Sequence, residues 1–102
     1  MNFQDKFNLI IETIEENLDK EYSDYKSVTK ELGRKLGTPS RVISDTFRFV
    51  TDVTLGSYIM KRKLAAACQF KNRNQCSWDD AAEKYGYSEA SAFRRAFKNA
   101  YG

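Results

Sequence analysis

Hydrophobic positions recur every three or four residues along most of this chain, the signature of amphipathic helices. Phe7, Ile10, Ile11, Ile14 and Leu18 form one such stripe, which predicts a first helix over about residues 5–18, with Glu12, Glu15, Glu16 and Asp19 on the opposite face. Tyr25, Val28, Leu32 and Leu36 form a second, with Asp24 as its cap. Gly33 interrupts that stripe, and a glycine inside a helix costs about 1 kcal/mol relative to alanine. The second helix is therefore expected to stop at Leu32 and give way to a loop reaching Gly37. Thr38 and Pro39 open a third helix, with proline in the first position, where its missing amide costs nothing. Val42, Ile43, Thr46, Phe47 and Val50 are expected to face inward there, and Arg41, Ser44, Asp45 and Arg48 outward. After a turn at residues 51–54, Thr54 caps a long fourth helix over about 55–72, with Leu55, Ile59, Ala66, Ala67 and Phe70 as its buried positions. Lys61, Arg62 and Lys63 on this helix are a solvated face or a phosphate contact, with Lys63 the member expected to turn against an acid. Residues 71–75 read as a polar loop.

The chain is organised around residues 77–102, which read as two short helices joined by a tight turn. Ser77 can cap the first, with Asp80 three residues later as in a capping box. Trp78, Ala81, Ala82 and Tyr85 share one face, and the indole of Trp78 is expected to fill the space that Ala81 leaves between the two helices. Gly86 suits the left-handed position that ends a helix, with Tyr87 packing back behind it. Ser88 can cap the last helix, whose apolar stripe is Phe93, Ala96, Phe97 and Ala100, while Arg94, Arg95 and Lys98 occupy its other face. Two helices, a glycine turn and a basic second helix describe a helix-turn-helix.

Charge sharpens this picture. The net charge of +3 conceals a split: residues 1–31 hold four Lys against eight Asp or Glu, a net of −4, and residues 32–102 hold thirteen Lys or Arg against six acids, a net of +7. Such polarity suits a protein that presents one end to a polyanion. With Cys68 and Cys76 as the only cysteines and no histidine, a closed zinc site is not expected, and no cofactor is implied. Cys68 falls on the apolar side of the fourth helix, and Cys76 precedes a cap. There is no histidine base, glycine-rich phosphate loop or activated nucleophile, so an enzyme is not expected. No apolar run approaches the roughly 20 residues that cross a bilayer, and Met1 leads into an acidic amphipathic segment rather than a signal peptide, so a cytoplasmic protein is expected.

The pattern A-x-x-x-G-[FY]-x-x-x-S-x-F-x-R-x-F-K-x-x-x-G is met by Ala82, Gly86, Tyr87, Ser91, Phe93, Arg95, Phe97, Lys98 and Gly102. Upstream, Phe47, Thr54, Leu55, Tyr58, Ile59, Leu64 and Ala67 follow the spacing F-x6-s-[fl]-x-x-Y-[il]-x4-[lm]-x-x-A. On these residues the chain resembles the DNA-binding domain of the AraC/XylS family of bacterial transcription regulators, most of all its compact monomeric subgroup (the MarA, SoxS and Rob type). The resemblance implies an all-α fold of six to seven helices: a first helix-turn-helix unit at 1–53, a linking helix at 54–73 and a second unit at 74–102. It implies base-facing positions at Arg41, Ser44 and Asp45 and at Ala90, Ser91, Arg94 and Arg95. Ser40 and Ser88 mark helix starts whose amides could meet phosphates, and Arg48 and Lys98 complete the expected DNA face. The chain departs from that pattern in a first unit lengthened by about five residues between Leu18 and Phe47, and in Asp52 where most members have glycine.

The expected activity is sequence-specific binding of duplex DNA in transcription regulation, by a monomer or as part of a longer regulator, with RNA polymerase a candidate protein partner. The alternative is a helix-turn-helix protein-interaction module docking a transcription partner, which the acidic first helix and Asp45 keep open. The third helix, burdened by Asp45, is expected to grip DNA less firmly than the last.

Overall fold

The computed structural model describes residues 2–19 and 25–102. Within them lie six helices and no strand: α1 (Phe3–Asn17), α2 (Tyr25–Leu36), α3 (Ser40–Thr51), α4 (Leu55–Asn74), α5 (Trp78–Lys84) and α6 (Ala90–Tyr101). The expected cap Asp24 lies outside the described residues. The molecule is elongated, 42 × 24 × 20 Å. No helix among the described residues is long and apolar enough to cross a membrane.

The caps explain most boundaries. Asn2 accepts a hydrogen bond from the Asp5 amide at 2.8 Å, so α1 begins earlier than its hydrophobic stripe suggests. Thr54 and Ser77 accept from the amides of Ser57 and Asp80, as their positions predict. The expected stop at Leu32 does not occur. Here α2 runs through Gly33 to Leu36 and ends at Gly37, whose φ of +60° is left-handed. The Thr38 amide then donates back to the Gly33 carbonyl at 3.2 Å. A Cβ at Gly33 would sit 3.1 Å from the Thr38 carbonyl oxygen, so this glycine makes room for the returning chain rather than breaking the helix.

The same device ends α5. Gly86 has φ +88°, its amide donates to the Glu83 carbonyl, and the Tyr87 amide donates to the Ala82 carbonyl at 2.9 Å. This pair of bonds is a Schellman motif. Ala82, fully buried, stands where Gly33 stands in the first turn, as the residue whose carbonyl receives the returning amide.

Two buried clusters meet along α4. The larger joins Ile10, Ile14 and Leu18 of the α1 stripe to Val28, Leu32, Ile43, Phe47, Leu55 and Ile59. Phe47 is its centre, 1% exposed, with ring centroids 5.9 Å from Phe7 and 5.3 Å from Tyr58. The smaller joins Leu64, Ala67, Ala82 and Phe93. Helix α4 thus carries a first pair, α2–α3, on its N-terminal half and a second, α5–α6, on its C-terminal half.

Three further expectations change. On α3 only Ile43 and Phe47 are buried; Val42 and Val50 are about half exposed and Phe49 is 91% exposed. The helix packs on α2 and α4 along one narrow stripe, with Phe7 of α1 stacked on Phe47, and Val42, Phe49 and Val50 lie off that stripe. The expected polar loop at 71–74 is helical, with Asn74 donating to the Phe70 carbonyl at 2.9 Å, and α4 ends at Gln75 in the left-handed region. Trp78 stacks across the two helices on Phe93 at 5.6 Å but stays 37% exposed, at the rim rather than in the core, while Ala81 is itself fully buried.

Candidate nucleic-acid interface

The last helix, α6, follows a turn at residues 85–89 and presents Ser91, Arg94, Arg95 and Lys98 to solvent. These three cations make no ion pair among the described residues. The start of α6 differs from expectation. Glu89, not Ser88, is the N-cap residue, and its side chain makes no capping bond. The Ala90 amide instead donates to Asp79 Oδ1 at 3.1 Å. A carboxylate on α5 therefore caps α6 across the turn, and the charge suits the positive end of the helix. Ser88 lies exposed in the turn. Ala90 is only 7% exposed, with its amide held against Asp79, and it borders a depression shared with Ser91 and Arg94.

On α3, Ser40, Arg41 and Asp45 are exposed, and Arg48 is exposed without an ion pair among the described residues. Arg41 Nε lies 3.9 Å from Asp45 Oδ2, a loose pair between two well-exposed side chains. Such a pair is worth about 0.3 kcal/mol. Its consequence is local: the one acid on this face is drawn to the first cation. Ser44 is half-buried, with Oγ 2.6 Å from the Tyr25 hydroxyl. That bond ties α3 to α2 and occupies a side chain expected to face bases. Both Ser44 and Arg48 border a shallow depression of about 340 Å³ beside Gly56. Asp52 ends α3 with φ +59°, and its amide donates to the Arg48 carbonyl at 2.8 Å. A left-handed cap is thus made by a residue that adopts it less readily than glycine.

The cation run on α4 divides. Arg62 meets an acid of α1: Nε and Nη2 fork onto the two Glu15 oxygens at 2.8 and 3.2 Å. The hydrogen bond to Glu15 raises the guanidinium pKa further. Lys63 Nζ lies 5.4 Å from the centroid of the Tyr87 ring, and Lys61 Nζ 5.8 Å from that of Tyr101. Other acids of α1 and the turn after it are also engaged: Glu16 lies 3.5 Å from Lys35 and Asp19 3.6 Å from Lys84. These acids thus bind cations of α2, α4 and α5. Among the described residues no such pair reaches the cations of α6. The sequence signal for this was the charge split, but not the partners.

No group of His, Cys, Asp and Glu among the described residues could hold a metal ion. The arrangement is that of a helix-turn-helix protein with two pairs on one connecting helix. A family model described as "Helix-turn-helix domain" matches residues 32–102. The chain belongs to this AraC-type family of DNA-binding domains of transcription regulators. No curated protein and no solved structure matches it.

Proposed function

We propose that this protein binds duplex DNA sequence-specifically through α3 and α6, the second helix of each pair. The observation that carries the reading is that Arg94, Arg95 and Lys98 stand exposed on α6 without ion pairs among the described residues, while acids of α1 engage cations elsewhere. Arginine can read guanine O6 and N7 with both arms, and lysine meets phosphates without reading sequence. Arg94, Arg95 and Ser91 are the proposed base-facing residues of α6. Arg41, Ser44 and Asp45 are those of α3, with Arg48 beside them on the DNA face and Ser40 and Ser88 near phosphates. The 42 Å long axis is compatible with two contacts about 34 Å apart, one turn of duplex. A DNA-binding family of this kind is typically non-enzymatic, and we assign no reaction. The protein would act as a monomer or within a longer regulator, with RNA polymerase a candidate partner.

Titration of a duplex selected from random sequence, at several salt concentrations, tests this. With about six phosphates contacted, log affinity should fall against log salt with a slope near −5. A flat response for selected and scrambled duplexes alike would reject DNA binding and favour the protein-docking alternative.

A further inference from the structure

We propose that the groove between α4, α5 and α6 binds a small aromatic carboxylate, and that this ligand competes with DNA for the cations of α6. The groove has a volume of about 430 Å³. Small-molecule sites occupy roughly 300–1,000 Å³, whereas a docked protein needs a far larger surface. Cys68 forms part of its lining, and Trp78, Phe93, Phe97 and Tyr101 supply four rings. The rings run as a continuous series, with centroids 5.6, 6.3 and 4.9 Å apart from Trp78 to Tyr101. All but Phe93 are at least a third exposed, so the ring surfaces are accessible. A flat aromatic body can stack in offset or edge-to-face fashion on such a wall.

Charge selects the ligand's sign. Arg94 and Lys98 line the groove and no acidic side chain does. Two more cations flank it: Lys71 Nζ lies 4.9 Å from the centroid of the Trp78 ring, and Lys61 stands over Tyr101. Burial raises the pKa of the Cys68 thiol, so the lining carries no thiolate at neutral pH. An anion with an apolar ring therefore satisfies both parts of the site. A neutral ring gains only the stacking, and a cation meets four like charges. Arg94 and Lys98 also belong to the proposed DNA face, so competition with DNA rests on that reading. Ligand binding itself does not.

The test uses 2-naphthoate with the whole chain. Trp78 is the only tryptophan, so quenching of its fluorescence reports from the groove itself. Saturable quenching below about 1 mM is expected, with 2-naphthylmethylamine and decanoate each about tenfold weaker. Equal binding of the amine would overturn the charge assignment, equal binding of decanoate the aromatic one, and absence of saturation the site. Phe97→Ala should weaken 2-naphthoate about tenfold with helix content unchanged. If that variant does not fold, Lys71→Glu on the rim should weaken it several-fold, and unchanged affinity in Lys71→Glu would overturn the role of the rim. A saturating dose should also lower affinity for the selected duplex several-fold. Quenching without that loss would overturn the competition alone, and failure of the ligand-free protein to bind duplex would reject the DNA reading while leaving the site standing.

Discussion

The two helix-turn-helix pairs share a turn and differ in how the second helix is held. In both, a left-handed glycine ends the first helix and the next amide returns to a carbonyl four residues before that glycine: Thr38 to Gly33, Tyr87 to Ala82. The first turn then reaches α3 through residues 37–39, and the second reaches α6 through 85–89. At α3 the N-cap residue is Pro39, with no side-chain cap, and the helix is tied sideways by the Ser44–Tyr25 bond. At α6 the first amide is capped by Asp79 from the preceding helix. The outer faces differ as well: Arg41 is drawn to Asp45, while Arg94, Arg95 and Lys98 make no ion pair among the described residues. A common turn fixes that two helices meet. Capping and local charge decide how firmly the second is aimed and how freely it meets an anion.

Core substitutions should separate the pairs most. Phe47→Ala removes the ring packed between Phe7 and Tyr58 and should cost about 3–5 kcal/mol in a urea melt. Trp78→Ala, at the rim of the second pair, should cost about 1–2 kcal/mol because much of the indole is already in water. Equal losses would contradict the rim placement.

On a selected duplex at fixed salt, Arg94→Ala should weaken binding by about 1–3 kcal/mol and relax preference at one base step. Arg41→Ala should cost under about 1 kcal/mol, since Asp45 already competes for that guanidinium. Asp45→Asn should strengthen binding to scrambled duplex while sparing the selected one. A reversed ranking would make α3 the main reader.

The cap across the second turn predicts that Asp79→Ala lowers stability by about 1 kcal/mol. Hydrogen exchange at the Ala90 amide should quicken, and Asp79→Asn should retain most of the protection. An unchanged exchange rate would show that the bond is not maintained in solution. The smallest effect belongs to the end of α3. Asp52→Gly relieves a left-handed φ of +59° and should raise stability by about 0.5 kcal/mol, seen as a later melting transition. A loss there would mean that the Asp52 side chain contributes more than its backbone strain costs.

Local sequence determined the elements whose causes are local. Thr54 and Ser77 mark helix starts because a short side-chain oxygen reaches an amide three residues on. Gly86 marks a stop because its backbone conformation excludes most side chains. The α1 stripe and the family spacing from Phe47 to Gly102 likewise made the helices, the paired turns and the basic face of α6 legible. Gly33 was misleading because a propensity measured on isolated helices says nothing of a returning chain that would lie 3.1 Å from an added Cβ. Trp78 was placed too deep because the periodicity of one helix cannot show how much of a side chain its neighbour covers. The partners of Glu15, Ser44 and Asp79 lie 47, 19 and 11 residues away in sequence. No spacing rule reaches across those distances, so only the tertiary structure decided which charges are engaged inside the fold and which remain for a ligand.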